Sequence, residues 1–375
     1  MPLTFVVSAS RSGSTMLSRI LHAHPDVLSV SEFFSSLMRV LHSKVFPVGE
    51  MTGAELWHML STRYDFFDAA ARHELPYPEL RYPYGTGRFD PATGPLWPGS
   101  HAEPGVGVPV IATMTLPMLT DDPDGMFDQL AAEVQSWPKQ PATAHYRALF
   151  DLLARLLGRS VIVERSSTTS LDVVPLLHQQ FPDARFVHMH RNGPDNALAM
   201  EQHPMFRMAA FQAEVVRLSG TPSWDNIELE LRRLHQLGQI PPEYMNLIIW
   251  PFDRERFMSQ QLPAAFFGGM WSRMEVEGAS ALSGLPAQLW TSLRFEDLLA
   301  DPANALRGLA DLLGVTASPE WLEEGRALVS QRKASAMTPD ISASDLAALR
   351  ESCAPGEQAI AAAEAKRQAS AGLLA

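Results

Sequence analysis

The stretch FVVSASRSGSTMLSRILHAHP, residues 5–25, constrains this chain more than any other. Phe5, Val6 and Val7 form a short apolar run suited to a central parallel strand. Residues 8–14 are small or polar apart from Arg11. From Thr15 onward Met16, Leu17, Ile20 and Leu21 recur at helical spacing, and Pro25 lies just past the expected end. The reading is therefore strand, tight turn, helix. A helix opening there aims unpaired backbone N–H groups and the positive end of its dipole at the turn, which makes an anion site. Gly13 allows close approach of a ligand to the backbone. Ser12, Ser14 and Thr15 add hydroxyl donors, and Arg11 adds a cationic fork. A nucleotide-hydrolase phosphate loop reads G-x-x-x-x-G-K-[ST]; this turn has neither the first Gly nor a Lys before Ser14. What remains is a phosphate or sulfate cradle with no obvious magnesium ligand set, set against the plainer alternative of an ordinary strand-to-helix connection.

The rest of the chain alternates strand and helix patterns, which predicts an α/β fold with a P-loop-like parallel sheet flanked by helices. Residues 161–163 read as a buried strand that delivers Glu164 and Arg165, and residues 185–190 as another that delivers Arg191. Ligands of open α/β sheets bind beyond the carboxyl ends of the strands. Arg11, Arg165 and Arg191 therefore meet at one edge if their strands share one parallel sheet. Residues 289–295 read as a further strand, followed by a helix that Asp301 caps and Gly314 stops. A terminal helix is expected after Pro355. Residues 45–141 differ: they are rich in Pro, Gly and aromatics (Trp57, Tyr64, Phe66, Phe67, Tyr77, Tyr82, Tyr84, Trp97), with short helices expected near 54–64 and 124–136. They read as an irregular insertion in a single domain spanning 1–375, shaping an acceptor pocket or lying on the surface.

Composition narrows the function classes. With 46% hydrophobic and 19% charged residues, the chain can bury a sizeable core. A net charge of −12 argues against non-specific binding to nucleic acid or anionic membrane. The one cysteine, Cys353, excludes an intramolecular disulfide and a cysteine-based metal cluster, and fits a reducing compartment. No apolar run has transmembrane length. No basic region precedes the first apolar run and Arg11 interrupts it early, so no secretory signal is expected and the expected location is cytoplasmic. Oligomeric state is not readable.

Four separated blocks resemble the sulfotransferases that use 3′-phosphoadenosine 5′-phosphosulfate (PAPS). SRSGSTML at 10–17 is similar to the loop that holds the 5′-phosphosulfate. VERSS at 163–167 resembles the family's Glu-Lys-Thr-Pro block, with Arg165 keeping the charge of the Lys. FPDARFVHMHRNGPD at 181–195 is similar to the strand and turn that hold the 3′-phosphate. LRFEDLLADP at 293–302 resembles the Tyr-Glu-Asp-Leu block. Arg11 in place of the Lys of the cytosolic enzymes, and AHPDVLSVSE at 23–32, resemble the tyrosylprotein sulfotransferases and bacterial members, with Glu32 at the spacing of their catalytic Glu. The chain also departs from the family. Ala199 stands where a Ser usually contacts the 3′-phosphate, Phe295 replaces the adenine-contacting Tyr, and QRKAS at 331–335 only faintly echoes the C-terminal Arg-Lys-Gly block.

The resemblance implies a sulfotransferase fold and a PAPS donor held by Arg11, Ser12, Gly13, Ser14, Thr15, Arg191, Phe295 and Arg332. It implies sulfuryl transfer to a hydroxyl of a small-molecule, lipid-like or glycan acceptor. Such transfer follows the logic of phosphoryl transfer, needing a base, cationic stabilisation of peripheral oxygens, and alignment. Glu32 is the candidate base, against the alternative of a solvated Glu near a helix start. Arg11 and Arg165 are candidates for stabilising developing charge, with a structural ion pair to Glu164 as the alternative for Arg165. A surface salt bridge is the alternative for Arg191. His188, His190 and His203 compete as bases. No essential metal is expected, because the donor lacks the β- and γ-phosphates that magnesium bridges. A kinase using ATP and magnesium, and a non-catalytic nucleotide-binding relative, remain as alternatives.

Overall fold

A computed structural model describes residues 1–41, 43, 45–64, 99–102, 107–166, 171–219, 227–240, 254–259, 262–334 and 341–372. Nine strands occur among the described residues: β1 (Leu3–Val7), β2 (Val27–Ser31), β3 (Glu50–Met51), β4 (Arg63–Tyr64), β5 (Val108–Pro109), β6 (Gln140–Pro141), β7 (Val161–Arg165), β8 (Arg185–His190) and β9 (Trp290–Arg294). Five form one sheet in the order β2-β7-β1-β8-β9, and every pairing in it is parallel. The strands delivering Arg11, Arg165 and Arg191 are thus the three central, adjacent ones, and their carboxyl ends share one edge. β1, β2 and β7 are buried along their whole length, as a sheet covered on both faces requires.

Alternation sorts the strand side chains into two layers. Phe5, Phe186 and Ile162 share a core with Phe33, Phe34, Phe150 and Phe181; the Phe5 ring lies 5.5 Å from both Phe181 and Phe186. On the other face Val6, Val163, Val187 and Met189 meet Leu17, Ile20 and Leu21 of α1 (Ser14–His22), together with Leu306, Leu309 and Leu313. The last three line the helix Pro302–Leu313, whose N-terminus Asp301 caps by accepting from Asn304 N–H at 3.1 Å and whose end is the left-handed Gly314. α2 (Phe33–Val40) follows β2 after the single residue Glu32.

Three sequence expectations shift. β7 extends to Arg165, so Glu164 and Arg165 are themselves strand residues. β9 ends at Arg294, and Phe295 opens a short helix, Phe295–Ala300. The terminal helix does not begin after Pro355 but runs from Ala343 to Gly372 with Pro355 inside it. Proline normally breaks a helix by removing a hydrogen bond. Here the Ser272 hydroxyl, on the neighbouring helix Ala264–Ser283, accepts the next N–H, from Gly356, at 2.7 Å. A Cβ on Gly356 would lie 2.8 Å from the Trp271 ring, so glycine is what allows this approach.

The described part of the 45–141 insertion is built into the core. Its helix Gly53–Ser61 carries a capping box between Thr52 and Glu55 and buries Leu56, Trp57 and Leu60. The Trp57 ring packs 4.8 Å from Phe127. The antiparallel pairs β3–β6 and β4–β5 and the hydrogen bond from Tyr146 Oη to Pro47 O tie the insertion down. The Tyr64 side chain and Phe66, Phe67, Tyr77, Tyr82, Tyr84 and Trp97 lie outside the described residues. No helix among the described residues is long and apolar enough to cross a membrane.

Candidate active site

The turn between β1 and α1 is conformationally unusual. Ser10 (φ 65°) and Arg11 (φ 55°) adopt positive φ in succession, and Gly13 (φ 92°) follows. Consecutive left-handed residues are rare outside glycine and fold the chain into a tight turn. Gly13 occupies the N-cap of α1 and no side chain caps that helix, leaving its first N–H groups facing the turn. The Ser12 hydroxyl is completely buried and has no hydrogen-bond partner among the described residues. A Cβ added at Gly13 would collide with the Phe295 ring and lie 3.3 Å from Met189 Cε. Gly13→Ala therefore combines an unfavourable φ with a clash against a packed ring, and an expected cost of about 2–4 kcal/mol can be read from urea unfolding. A variant as stable as the parent would show that the turn relaxes freely.

Glu32 is the third non-glycine residue with positive φ among the described residues (φ 57°), so all three lie at this edge. Strain of this kind persists where surrounding contacts over-determine it. The Glu32 N–H donates to Arg165 O at 2.6 Å, and its carbonyl accepts the Ser36 N–H at 2.9 Å. Its carboxylate accepts Arg165 Nη1–H at 2.7 Å through Oε1 and the Ser35 hydroxyl through Oε2. Both ion-pair side chains are at most 5% exposed. The solvated-Glu alternative is thereby excluded, and the partner of Arg165 is Glu32 rather than Glu164. The physical reason is strand alternation: Arg165 faces the α1 layer with its register partners Val6 and Ser31, whereas Glu164 points to the opposite face with Phe5 and Val30. Ser31 is itself bound, its hydroxyl 2.9 Å from the Ser18 hydroxyl of α1, while its carbonyl accepts the Thr115 hydroxyl of the insertion at 2.9 Å.

Glu164 is fully buried and accepts the Ser166 hydroxyl at 2.6 Å. Burial pushes its carboxyl up to about 7, against the Ser166 hydrogen bond, with the Glu32 charge adding to the rise. Sequence patterning did not single out Ser35, Ser166 or a role for Glu164. The available signals were that Ser35 stands three residues after Glu32, the spacing between a helix N-cap and its third residue, and that Glu164 neighbours Arg165 on a strand.

At the end of β8 the Arg191 guanidinium lies 5.1 Å from the centroid of the Phe295 ring, a cation–π contact. Phe295 is buried between Gly13, Met189 and Arg191 instead of presenting an open stacking face. The following Asn192 N–H donates to Glu296 Oε1 at 3.0 Å, and Glu296 Oε2 pairs with Arg294 Nε at 3.1 Å. Ala199 sits on the helix Gly193–Glu201 that continues from this turn. Arg332 lies in the last turn of the helix Pro319–Ala334, and its side chain lies outside the described residues. The edge thus assembles Arg11, Ser12, Gly13, Ser14 and Thr15 from the turn and α1, Glu32 from just after β2, Arg165 from the end of β7, and Arg191 and Phe295 from just past the ends of β8 and β9.

The competing histidines are engaged in the opposite layer. His188 Nε2 lies 2.9 Å from Glu275 Oε2, with both residues buried, and His190 Nε2 lies 3.2 Å from Glu364 Oε1. The His190 hydrogen bond holds Glu364 down at about 2. His203 caps its own turn, accepting Met205 N–H at 3.3 Å. His24 is structural: its Nδ1 accepts Asp26 N–H at 3.1 Å, and its Nε2 lies 2.9 Å from Thr316 O.

Comparison with known proteins adds the following. The model of the sulfotransferase family matches residues 2–81, about a fifth of the chain, and this stretch contains the β1–α1 turn and Glu32. No curated protein matches the chain. Among solved structures, the sulfotransferase domain from the curacin biosynthetic pathway is 13% identical with a TM-score of 0.41, covering 94% of this chain and 98% of that one. The sulfotransferase domain of the Synechococcus PCC 7002 olefin synthase is 15% identical with a TM-score of 0.40, covering 94% of each. A sulfotransferase from Mycobacterium avium is 13% identical with a TM-score of 0.40, covering 94% of this chain and 75% of that one.

Proposed function

We propose that this chain is an enzyme that transfers the sulfuryl group of 3′-phosphoadenosine 5′-phosphosulfate to a hydroxyl of a small-molecule, lipid-like or glycan acceptor. The observation that carries the reading is the buried Glu32–Arg165 pair at the sheet edge that also carries the turn leading into an uncapped helix start. A base and two cationic groups are set around one anion-accepting edge, and all three strained non-glycine residues sit there. The residues fit an anionic donor. The orphaned Ser12 hydroxyl and the free end of α1 suit a peripheral phosphosulfate, and Arg191, one strand away across β1–β8, suits a second phosphate. The donor supplies the activated sulfuryl group. Arg11 and Arg165 neutralise charge at the transferring group, and Glu32 takes the acceptor's proton. A single chain of 375 residues carries all of these groups, and the match over residues 2–81 supports the same assignment.

Calorimetric titration with 3′-phosphoadenosine 5′-phosphate in the absence of metal tests the donor site. Binding in the micromolar range, about −8 kcal/mol, is expected for the parent, with losses of tenfold or more in Arg11→Ala and in Arg191→Ala. Binding of ATP with magnesium, and none of the adenosine bisphosphate, would replace this reading with the kinase one. Tight binding without turnover of any acceptor hydroxyl would identify a nucleotide-binding relative.

A further inference from the structure

Glu164 is a buried acid that the proposed chemistry does not use. It lies on β7, one residue before Arg165 and on the other face of the sheet. Its carboxyl accepts the Ser166 hydroxyl at 2.6 Å. The Ser166 hydroxyl in turn accepts the Ser35 N–H at 3.1 Å. The Ser35 N–H in the first turn of α2 is therefore met from beyond the neighbouring strand by a hydroxyl that itself donates to Glu164. Such N–H groups are the unpaired donors that a helix start must satisfy, and satisfying them fixes where the helix begins. Glu32 is the residue immediately before that start, and its left-handed φ is what turns its carboxylate back onto Arg165.

We propose that Glu164, acting with Ser166, is the positioning residue of this site: it pins the first turn of α2 and thereby holds Glu32 against Arg165. Among the described residues the cluster includes the Glu32 and Glu164 carboxyls and the Arg165 guanidinium. The charged groups facing Glu164 are Glu32, from the turn between β2 and α2, and Arg165 on its own strand; its register neighbours Phe5 and Val30 are apolar. Arg165 is bonded to Glu32, and burial raises the Glu164 carboxyl to about 7, so it holds its proton below neutrality. An acid kept neutral by burial opposes deprotonation through the folded state. In this role Glu164 touches neither donor nor acceptor. It acts through Glu32, so this inference rests on the sulfotransferase reading for its functional meaning but not for its test.

The test is thermal unfolding of the parent, Glu164→Gln, Glu32→Gln and the double variant at about pH 5 and about pH 8.5, with Ser166→Ala and Glu164→Ala as further variants. Gln imitates the neutral acid. Between the ordinary carboxylate range and neutrality the unfolded parent releases the Glu164 proton while the folded parent keeps it, so parental stability falls with rising pH. Glu164→Gln should therefore gain on the parent by roughly 3 °C or more between the two pH values. That gain should shrink measurably in the Glu32→Gln background, because the like charge is gone, and persist in part, because burial is its larger cause. Glu164→Ala and Ser166→Ala should both fall below the parent at either pH, with Gln rescuing the first. Equal pH responses in the parent and Glu164→Gln, or additive effects with Glu32→Gln, would overturn the proposal. Binding of 3′-phosphoadenosine 5′-phosphate, measured alongside, should stay within about threefold in Glu164→Gln, since the donor-holding turn is elsewhere. Failure of the parent to bind it would remove the sulfotransferase reading, while the unfolding cycle would still decide whether Glu164 positions Glu32.

Discussion

Arg165→Ala is expected to destabilise the folded protein by about 3–5 kcal/mol, the range for removing one partner of a buried ion pair. The two side chains are at most 5% exposed, and Arg165 Nη1 lies 2.7 Å from Glu32 Oε1. Without Arg165 the Glu32 carboxylate stays buried, with the Ser35 hydroxyl donating to it and a second carboxyl nearby at Glu164. The penalty is the uncompensated charge and not the net worth of the pair, which predicts a specific pattern. Arg165→Met combined with Glu32→Gln removes both charges and should recover at least half of the loss. Arg165→Lys keeps the charge but not the planar fork, and should fall between the parent and Ala. Urea unfolding at neutral pH measures all of these. An Arg165→Ala cost within about 1 kcal/mol of zero would mean that the pair is open to water in solution, contrary to its burial here.

Glu32→Gln is expected to lower kcat for sulfuryl transfer by about 100- to 10,000-fold while changing affinity for 3′-phosphoadenosine 5′-phosphate by less than about threefold. The split follows from placement. Glu32 comes from the turn after β2, whereas the turn that accepts the donor's phosphosulfate comes from β1, two positions away in the sheet order. Gln keeps the size and the acceptor oxygen for Arg165 but cannot take a proton. The rival bases are bound elsewhere: His188 to Glu275 and His190 to Glu364, both from the sheet face opposite Arg165. A Glu32→Gln enzyme that retains more than about a tenth of kcat would move the base to another group. Equal losses in kcat and in donor affinity would instead make Glu32 part of the donor site.

The sequence by itself determined the parts of this protein that depend on local periodicity and local backbone chemistry. The apolar runs at 5–7 and 161–163 specify buried strands because side chains alternate with period two and a doubly covered sheet needs both faces apolar. Asp301, Pro302 and Gly314 bound a helix because each satisfies or ends hydrogen bonding within a few residues of itself. The small-residue turn before α1 was legible for the same reason, since only an open helix start follows it. Tertiary structure decided what lies across the chain. Pro355 sits within a continuous helix because Ser272, 83 residues earlier, accepts the N–H beside it. Trp57 packs on Phe127 in the core. The partner of Arg165 was decided by register: adjacency in sequence favoured Glu164, but adjacent strand residues face opposite ways, and the parallel pairing of β2 with β7 sets Ser31 beside Arg165 and so brings Glu32 to it. Local rules fix which residues reach the edge of the sheet. Which of them touch is set by strand register and by the contacts that hold Ser10, Arg11 and Glu32 in conformations that their own preferences oppose.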